Sequence, residues 1–129
     1  MDTWARQYVA TLTPPAFIAI RGDLGAGKTT LVQAMARAIG VTDEVTSPTY
    51  ALVHEYHSPH GAVHHLDLYR LKDASQLAQL GWEDIVRGNG IVFLEWPERV
   101  DARELPTHHV SVQLSHVANK PDVRSLQWA

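Results

Sequence analysis

The segment Gly22-Asp23-Leu24-Gly25-Ala26-Gly27-Lys28-Thr29 matches G-x-x-x-x-G-K-[ST] in full. Each residue type has a chemical reason to be there. Glycines at 22, 25 and 27 permit backbone angles and close approaches that a Cβ would block, so successive N–H groups can turn inward around a β-phosphate. Asp23, Leu24, Gly25, Ala26, Gly27 and Thr30 then contribute through the loop and the helix start. Lys28 can bridge β- and γ-phosphate oxygens, and the Thr29 hydroxyl is placed to ligate Mg²⁺. The pattern calls for a nucleoside triphosphate. A magnesium ion bound through a hydroxyl and phosphate needs an acid nearby, normally at the C-terminal end of a neighbouring strand. Asp67 ends the strand-like segment Val63 to Leu66, and Glu95 ends Ile91 to Leu94. Glu95 follows the more apolar and hence more central one, which makes it the expected metal-side acid and Asp67 a water-orienting or outer acid.

These residues need a scaffold, and the flanking sequence supplies one. Ala16-Phe17-Ile18-Ala19-Ile20 is apolar throughout, as in a parallel strand covered on both faces, and it runs directly into the glycine loop. Leu31, Ala34, Met35, Ala38 and Ile39 then recur at helical spacing, with Gly40 placed to end the helix. Segments 51–56 and 62–67 read as a hairpin around Ser58-Pro59-His60-Gly61. Asp73 with Gln76 resembles a capping box and predicts a helix to Leu80, followed by a shorter one from Trp82 to Arg87. Ile91 to Glu95 predicts a second buried strand, the alternation of Val110, Val112 and Leu114 a third, and Val123 to Trp128 a last one after the turn Asn119-Lys120-Pro121-Asp122. At the N-terminus Thr3 can cap a helix carrying Trp4, Tyr8, Val9 and Leu12, which Pro14-Pro15 ends. The fold class is α/β, a P-loop NTPase-like mixed sheet flanked by helices, with residues 1–129 forming one layered domain.

Composition narrows the function classes. A chain of 129 residues with 45% hydrophobic and 19% charged residues folds as one domain of ordinary make-up. A net charge of -3 argues against a protein that grips nucleic acid through its own surface. Without cysteine there is no disulfide or thiolate metal site, and no apolar run reaches membrane-spanning length, so a cytoplasmic protein without a membrane contact is expected. His54, His57, His60, His64 and His65 cluster, but Pro59 and Gly61 interrupt any helix that would align them as ligands. All five are expected to be surface and turn residues. A small-molecule kinase would need an acceptor lid that the chain lacks. Asn119-Lys120-Pro121-Asp122 matches the N-K-x-D of GTPases, yet Asp67 is not followed by the D-x-x-G pattern and little chain remains beyond Asp122.

Four motifs in order carry a family resemblance: the phosphate loop through Thr30, Ser47-Pro48-Thr49-Tyr50, His65-Leu66-Asp67-Leu68-Tyr69-Arg70 and Leu94-Glu95-Trp96-Pro97-Glu98. From about residue 16 to 100 the chain resembles TsaE, the bacterial ATPase of tRNA threonylcarbamoyladenosine synthesis. The resemblance implies that Thr29 and Glu95 hold Mg²⁺ and that the segment containing Thr49 acts as a switch-like loop. It also implies that Trp96 packs near the nucleotide and that Arg124 reaches it from the C-terminal hairpin. Relative to that family the chain enters at the end of a usual N-terminal segment, with Asp2-Thr3. The implied activity is slow ATP hydrolysis, catalysed by Lys28, Asp67 and Glu95 and stimulated by TsaD and TsaB, with tRNA met only through the complex. A small GTPase-like switch and a nucleotide-gated adaptor without turnover are the alternatives.

Overall fold

A strand buried on both faces needs apolar side chains, and β1 (Ala16–Arg21) and β4 (Ile91–Glu95) have them at every position but the last. The computed structural model describes residues 2–22, 27–42, 53–117 and 120–128, with backbone alone at 2–4, at 74 and from 115 onward. With β2 (Val53–Ser58), β3 (Gly61–Asp67), β5 (Val110–Val117) and β6 (Lys120–Trp128), the described residues form a six-stranded sheet in the order β2-β3-β4-β1-β5-β6. The four inner strands are parallel to one another, and β2 and β6 close the edges antiparallel. Parallel pairing brings the C-terminal ends of β1, β3 and β4 to one edge, where the glycine loop begins.

The two faces carry separate cores. Ile18, Ile20, Val63, Ile91, Phe93 and Val112 pack under α1 (Asp2–Val9) and α2 (Lys28–Ile39), whose inward stripe includes Leu31, Met35 and Ile39. Phe17, Leu66, Val92 and Leu94 point the other way, to the short helices α3 (Ala74–Gln79) and α4 (Trp82–Arg87), where Phe17 meets Trp82 edge to face. Gly40 ends α2 in a left-handed conformation (φ 108°), and a Cβ there would come within 2.9 Å of Pro59 Cδ. The β2–β3 turn therefore rests on the end of α2. No described helix is long and apolar enough to cross a membrane.

Most predicted elements form, with three shifts. The N-terminal helix already includes Asp2, so Thr3 lies in its first turn and is not its cap, and it ends at Val9; Leu12 follows in a turn, its N–H bonded to the Val9 carbonyl at 3.0 Å. β2 runs on to Ser58, narrowing the hairpin loop to Pro59-His60, with Ser58 Oγ donating to the Gly61 carbonyl at 2.9 Å. β6 begins at Lys120, so Lys120, Pro121 and Asp122 belong to a strand and not to a turn, while Asn119 lies outside the described residues. Pro121 is tolerated because β6 is an edge strand and its register slips between His116 and Val117. The α3 cap forms as expected, with Asp73 accepting from the Gln76 N–H at 3.1 Å, while Gln76 Oε1 accepts from the Lys72 N–H.

Candidate functional site

At the C-terminal end of the central strand β1, Gly22 (φ 155°) and Gly27 (φ 95°) adopt backbone conformations open to glycine, and Gly27 is the N-cap of α2. The first turn of α2 carries no acidic residue and no side-chain cap. Its leading N–H groups and the positive end of the helix dipole are thus set to meet an anion. Lys28, the first helical residue, is only 5% exposed. Its Nζ donates to the Gly22 carbonyl at 2.6 Å and lies 4.0 Å from the centroid of the Trp96 ring, a cation–π contact. Trp96 is the described non-glycine residue with positive φ (60°), where β4 turns into the 3₁₀ turn Pro97–Arg99. A residue before proline normally stays extended, and this conformation costs on the order of 1–3 kcal/mol. The surroundings hold it there: Tyr69 packs at 5.0 Å between ring centroids, Arg99 covers Tyr69 at 5.6 Å, and Arg99 N–H bonds the Trp96 carbonyl at 3.1 Å.

Beside this lies the acid. Strand register places Glu95 between Ile20 of β1 and Asp67 of β3, and pleat alternation turns it to the α2 face with Phe93 and Ile91. It is 2% exposed. A carboxylate so buried needs partners. The Thr29 hydroxyl lies 3.2 Å from Oε1 and 3.1 Å from Oε2, and His65 Nε2 lies 2.5 Å from Oε2. Asp67 sits level with Glu95 one strand away, and its Oδ1 accepts from the Tyr69 N–H at 3.1 Å in an Asx turn.

A hydroxyl and a carboxylate oxygen are hard donors and fit Mg²⁺. Among the described residues no three His, Cys, Asp or Glu side chains group as a metal cage.

The structure thus brings Lys28, Thr29, Glu95 and Trp96 together, with Asp67 adjacent. Thr30 is exposed on α2. Asp23, Leu24, Gly25, Ala26 and Thr49, with the rest of Ser47-Pro48-Thr49-Tyr50, lie outside the described residues. Arg124 falls in β6 opposite His116, two strands from β1, with its side chain outside them too.

One expectation is overturned. His65 is no surface histidine but wholly buried, with its ring on the Glu95 carboxylate. Clustering hid it, because His57 and His60 are indeed exposed. The missed signal was parity: His65 is in phase with Val63 and Asp67, on the face that the helix after the glycine loop must cover. Tyr69 and Arg99, which hold Trp96, carry no comparable signal.

Residues 1–125 match the family model described as threonylcarbamoyl adenosine biosynthesis protein TsaE. The chain is 40% identical over 109 residues to the tRNA threonylcarbamoyladenosine biosynthesis protein TsaE of Nostoc sp., a match covering 82% of this chain and 66% of that one. It is 34% identical to the protein of the same name from Treponema pallidum, covering 90% and 84%. With 66% of the Nostoc protein and 65% of its Synechocystis counterpart covered, the chain spans about two thirds of the length of these relatives. The crystal structure of Bacillus subtilis YdiB superposes with a TM-score of 0.77 at 25% identity, over 98% of this chain and 76% of that one. The phosphate-loop lysine and threonine, the buried strand-end glutamate and this similarity along nearly the whole chain lead to one conclusion: the protein belongs to the TsaE family.

Proposed function

We propose that this chain binds MgATP at the edge of the sheet and hydrolyses it slowly, in support of tRNA threonylcarbamoyladenosine formation by a TsaD–TsaB pair. The observation that carries the proposal is the Thr29 hydroxyl held 3.1–3.2 Å from both oxygens of Glu95, next to Lys28 at the start of α2. Lys28 leaves the Gly22 carbonyl and the Trp96 ring to grip the β- and γ-phosphates, exchanging a neutral acceptor for charged ones. Thr29 and Glu95 hold magnesium, which when bound neutralises charge on the phosphate oxygens. Asp67, fixed by its Asx turn at the level of Glu95, orients the attacking water. Trp96 reports the event, because the cation leaves its ring.

Rapid phosphoryl transfer to water uses an arginine beside the γ-phosphate, an effect worth about 10³–10⁵ in rate. Of the arginines expected near the acids, Arg70 is exposed just beyond β3 and Arg124 lies in β6, two strands from β1, and neither segment overhangs the glycine loop, so in this reading the chain alone is slow and the partner pair completes the site. A net charge of -3 also fits a protein that meets tRNA only through the complex. The test is titration of ATP against GTP by tryptophan fluorescence with Mg²⁺, followed by phosphate release with and without TsaD–TsaB. ATP-selective quenching with stimulated release is expected. Binding without any release points to a nucleotide-gated adaptor, and preference for GTP refutes the nucleotide assignment.

A further inference from the structure

His65 occupies a place where an aliphatic side chain would pack at less cost. It lies two residues before the end of β3, opposite Phe93, 0% exposed, between Val63 and Asp67 on the face covered by α2. A buried imidazole must recover its desolvation through hydrogen bonds. Among the described residues its Nδ1 has no partner, so the ring's polar contact there is Nε2 on Glu95 Oε2 at 2.5 Å. An acceptor-only carboxylate fixes the sense of that bond: Nε2 carries the hydrogen and donates.

Glu95 is the last residue of β4, and its terminal carboxylate torsion is broad when nothing holds it. Thr29 approaches it from α2 and His65 from β3, so two elements clamp this carboxylate from different directions. We propose that His65 is a positioning residue for Glu95, holding one carboxylate oxygen so that the group presents a fixed orientation beside Thr29 to the metal. This rests on the reading of Glu95 as the metal-side acid. Outer partners that orient a ligand typically influence metal affinity by about 10–100-fold.

The test uses the full chain with His65→Leu, which removes the donor, and His65→Gln, whose amide N–H can replace it. Mg²⁺ is titrated at fixed ATP, and ATP affinity is measured separately in EDTA. We expect His65→Leu to require about 10–100-fold more Mg²⁺, His65→Gln to recover most of that, and all three proteins to bind ATP alike without metal. Long-range ¹H–¹⁵N spectra of the parent without nucleotide or metal should show His65 protonated on Nε2, a readout that stands even where His65→Leu fails to fold. An Nδ1-protonated ring overturns the inference, as does a folded His65→Leu with the parental Mg²⁺ midpoint or a folded His65→Gln no better than His65→Leu. A parent that binds ATP equally with and without Mg²⁺ overturns the reading of Glu95, and this inference with it. A Mg²⁺-dependent parent with unaffected variants overturns the role of His65 alone.

Discussion

The two faces of the sheet handle polar groups in opposite ways. Under α1 and α2 the core carries Lys28, His65 and Glu95, the buried polar and charged side chains of the described residues, all at one end of three neighbouring parallel strands. Under α3 and α4 the core is apolar, from Phe17 through Leu66 and Leu94 to Trp82. Its charged groups stay in water and serve local structure: Asp73 caps α3, Asp101 pairs with Arg103 at 2.9 Å, and Glu83 lies near Arg87. That side also has a cavity of about 690 Å³, lined by residues such as Leu77, Trp82, Arg99 and Val100 and by none of Lys28, Thr29, His65 or Glu95. Space alone therefore does not mark the site. Buried charge does, because its desolvation must be offset by partners or by a ligand.

The largest effect expected from breaking this division comes from Lys28→Ala. Loss of a charge-assisted phosphate contact should weaken ATP binding by about 1.5–3 kcal/mol, roughly 10–150-fold, and take phosphate release below detection. The melting temperature should stay near that of the parent, because the ammonium group contacts the Gly22 carbonyl and the face of the Trp96 ring and not the apolar side chains of the core. Calorimetry and a phosphate-release assay check both halves, and parental hydrolysis by this variant would refute the assignment.

Trp82→Ala should do the reverse. Removing a buried indole from the α3/α4 core costs about 3–5 kcal/mol in denaturant unfolding, while ATP affinity per folded molecule stays at the parental value. A large change in affinity would show that the two faces are coupled.

The two strand-end acids sharpen the comparison within one face. Glu95→Gln should raise the Mg²⁺ needed for tight ATP binding, because an amide is a poorer ligand for a hard cation. Asp67→Asn should lower turnover by at least about tenfold at an unchanged Mg²⁺ midpoint. Titrating Mg²⁺ against rate for both variants checks this, and the opposite pattern would exchange their roles.

The smallest effect belongs to the exposed cap. The Ser75 hydroxyl and then the Gln76 N–H hold the Asp73 carboxyl below its ordinary value of 3.8. A lowered folded-state value means that the cap stabilises above the ordinary value and that this is lost as pH falls through the lowered one. Asp73→Ala should therefore lower the melting temperature by on the order of a few degrees at pH 7, and the difference should vanish in strong acid. ATP binding should not change. Thermal scans at the two pH values check it.

Much of this is legible in the sequence. The glycine loop, its strand and its helix are adjacent in sequence, and local spacing was enough to identify Lys28 and Thr29. Glu95 and Asp67 stand out because each is an acid at the end of a strand-like segment. The ranking of Glu95 as the more central acid agrees with its position in β4, directly beside β1. Extents were harder. β6 absorbs Lys120, Pro121 and Asp122, residues that locally favour a turn, because pairing with β5 outweighs that preference at a sheet edge.

By itself, then, the sequence determined which groups are on offer: a glycine loop between a strand and a helix, a lysine, a hydroxyl and two strand-end acids, two doubly buried strands and the phase of each helix. Those features depend on neighbours within one turn or one strand, where periodicity and backbone preference act. Only the tertiary structure decided which of five histidines is buried, that its ring meets Glu95 thirty residues along the chain, and that Tyr69, Trp96 and Lys28 stack on one another. These contacts join segments whose separation in sequence carries no trace of the pairing. They arise because parallel strand register sets Asp67, Glu95 and Ile20 level at one sheet edge, and a single pleat then turns His65 and Glu95 to the same side.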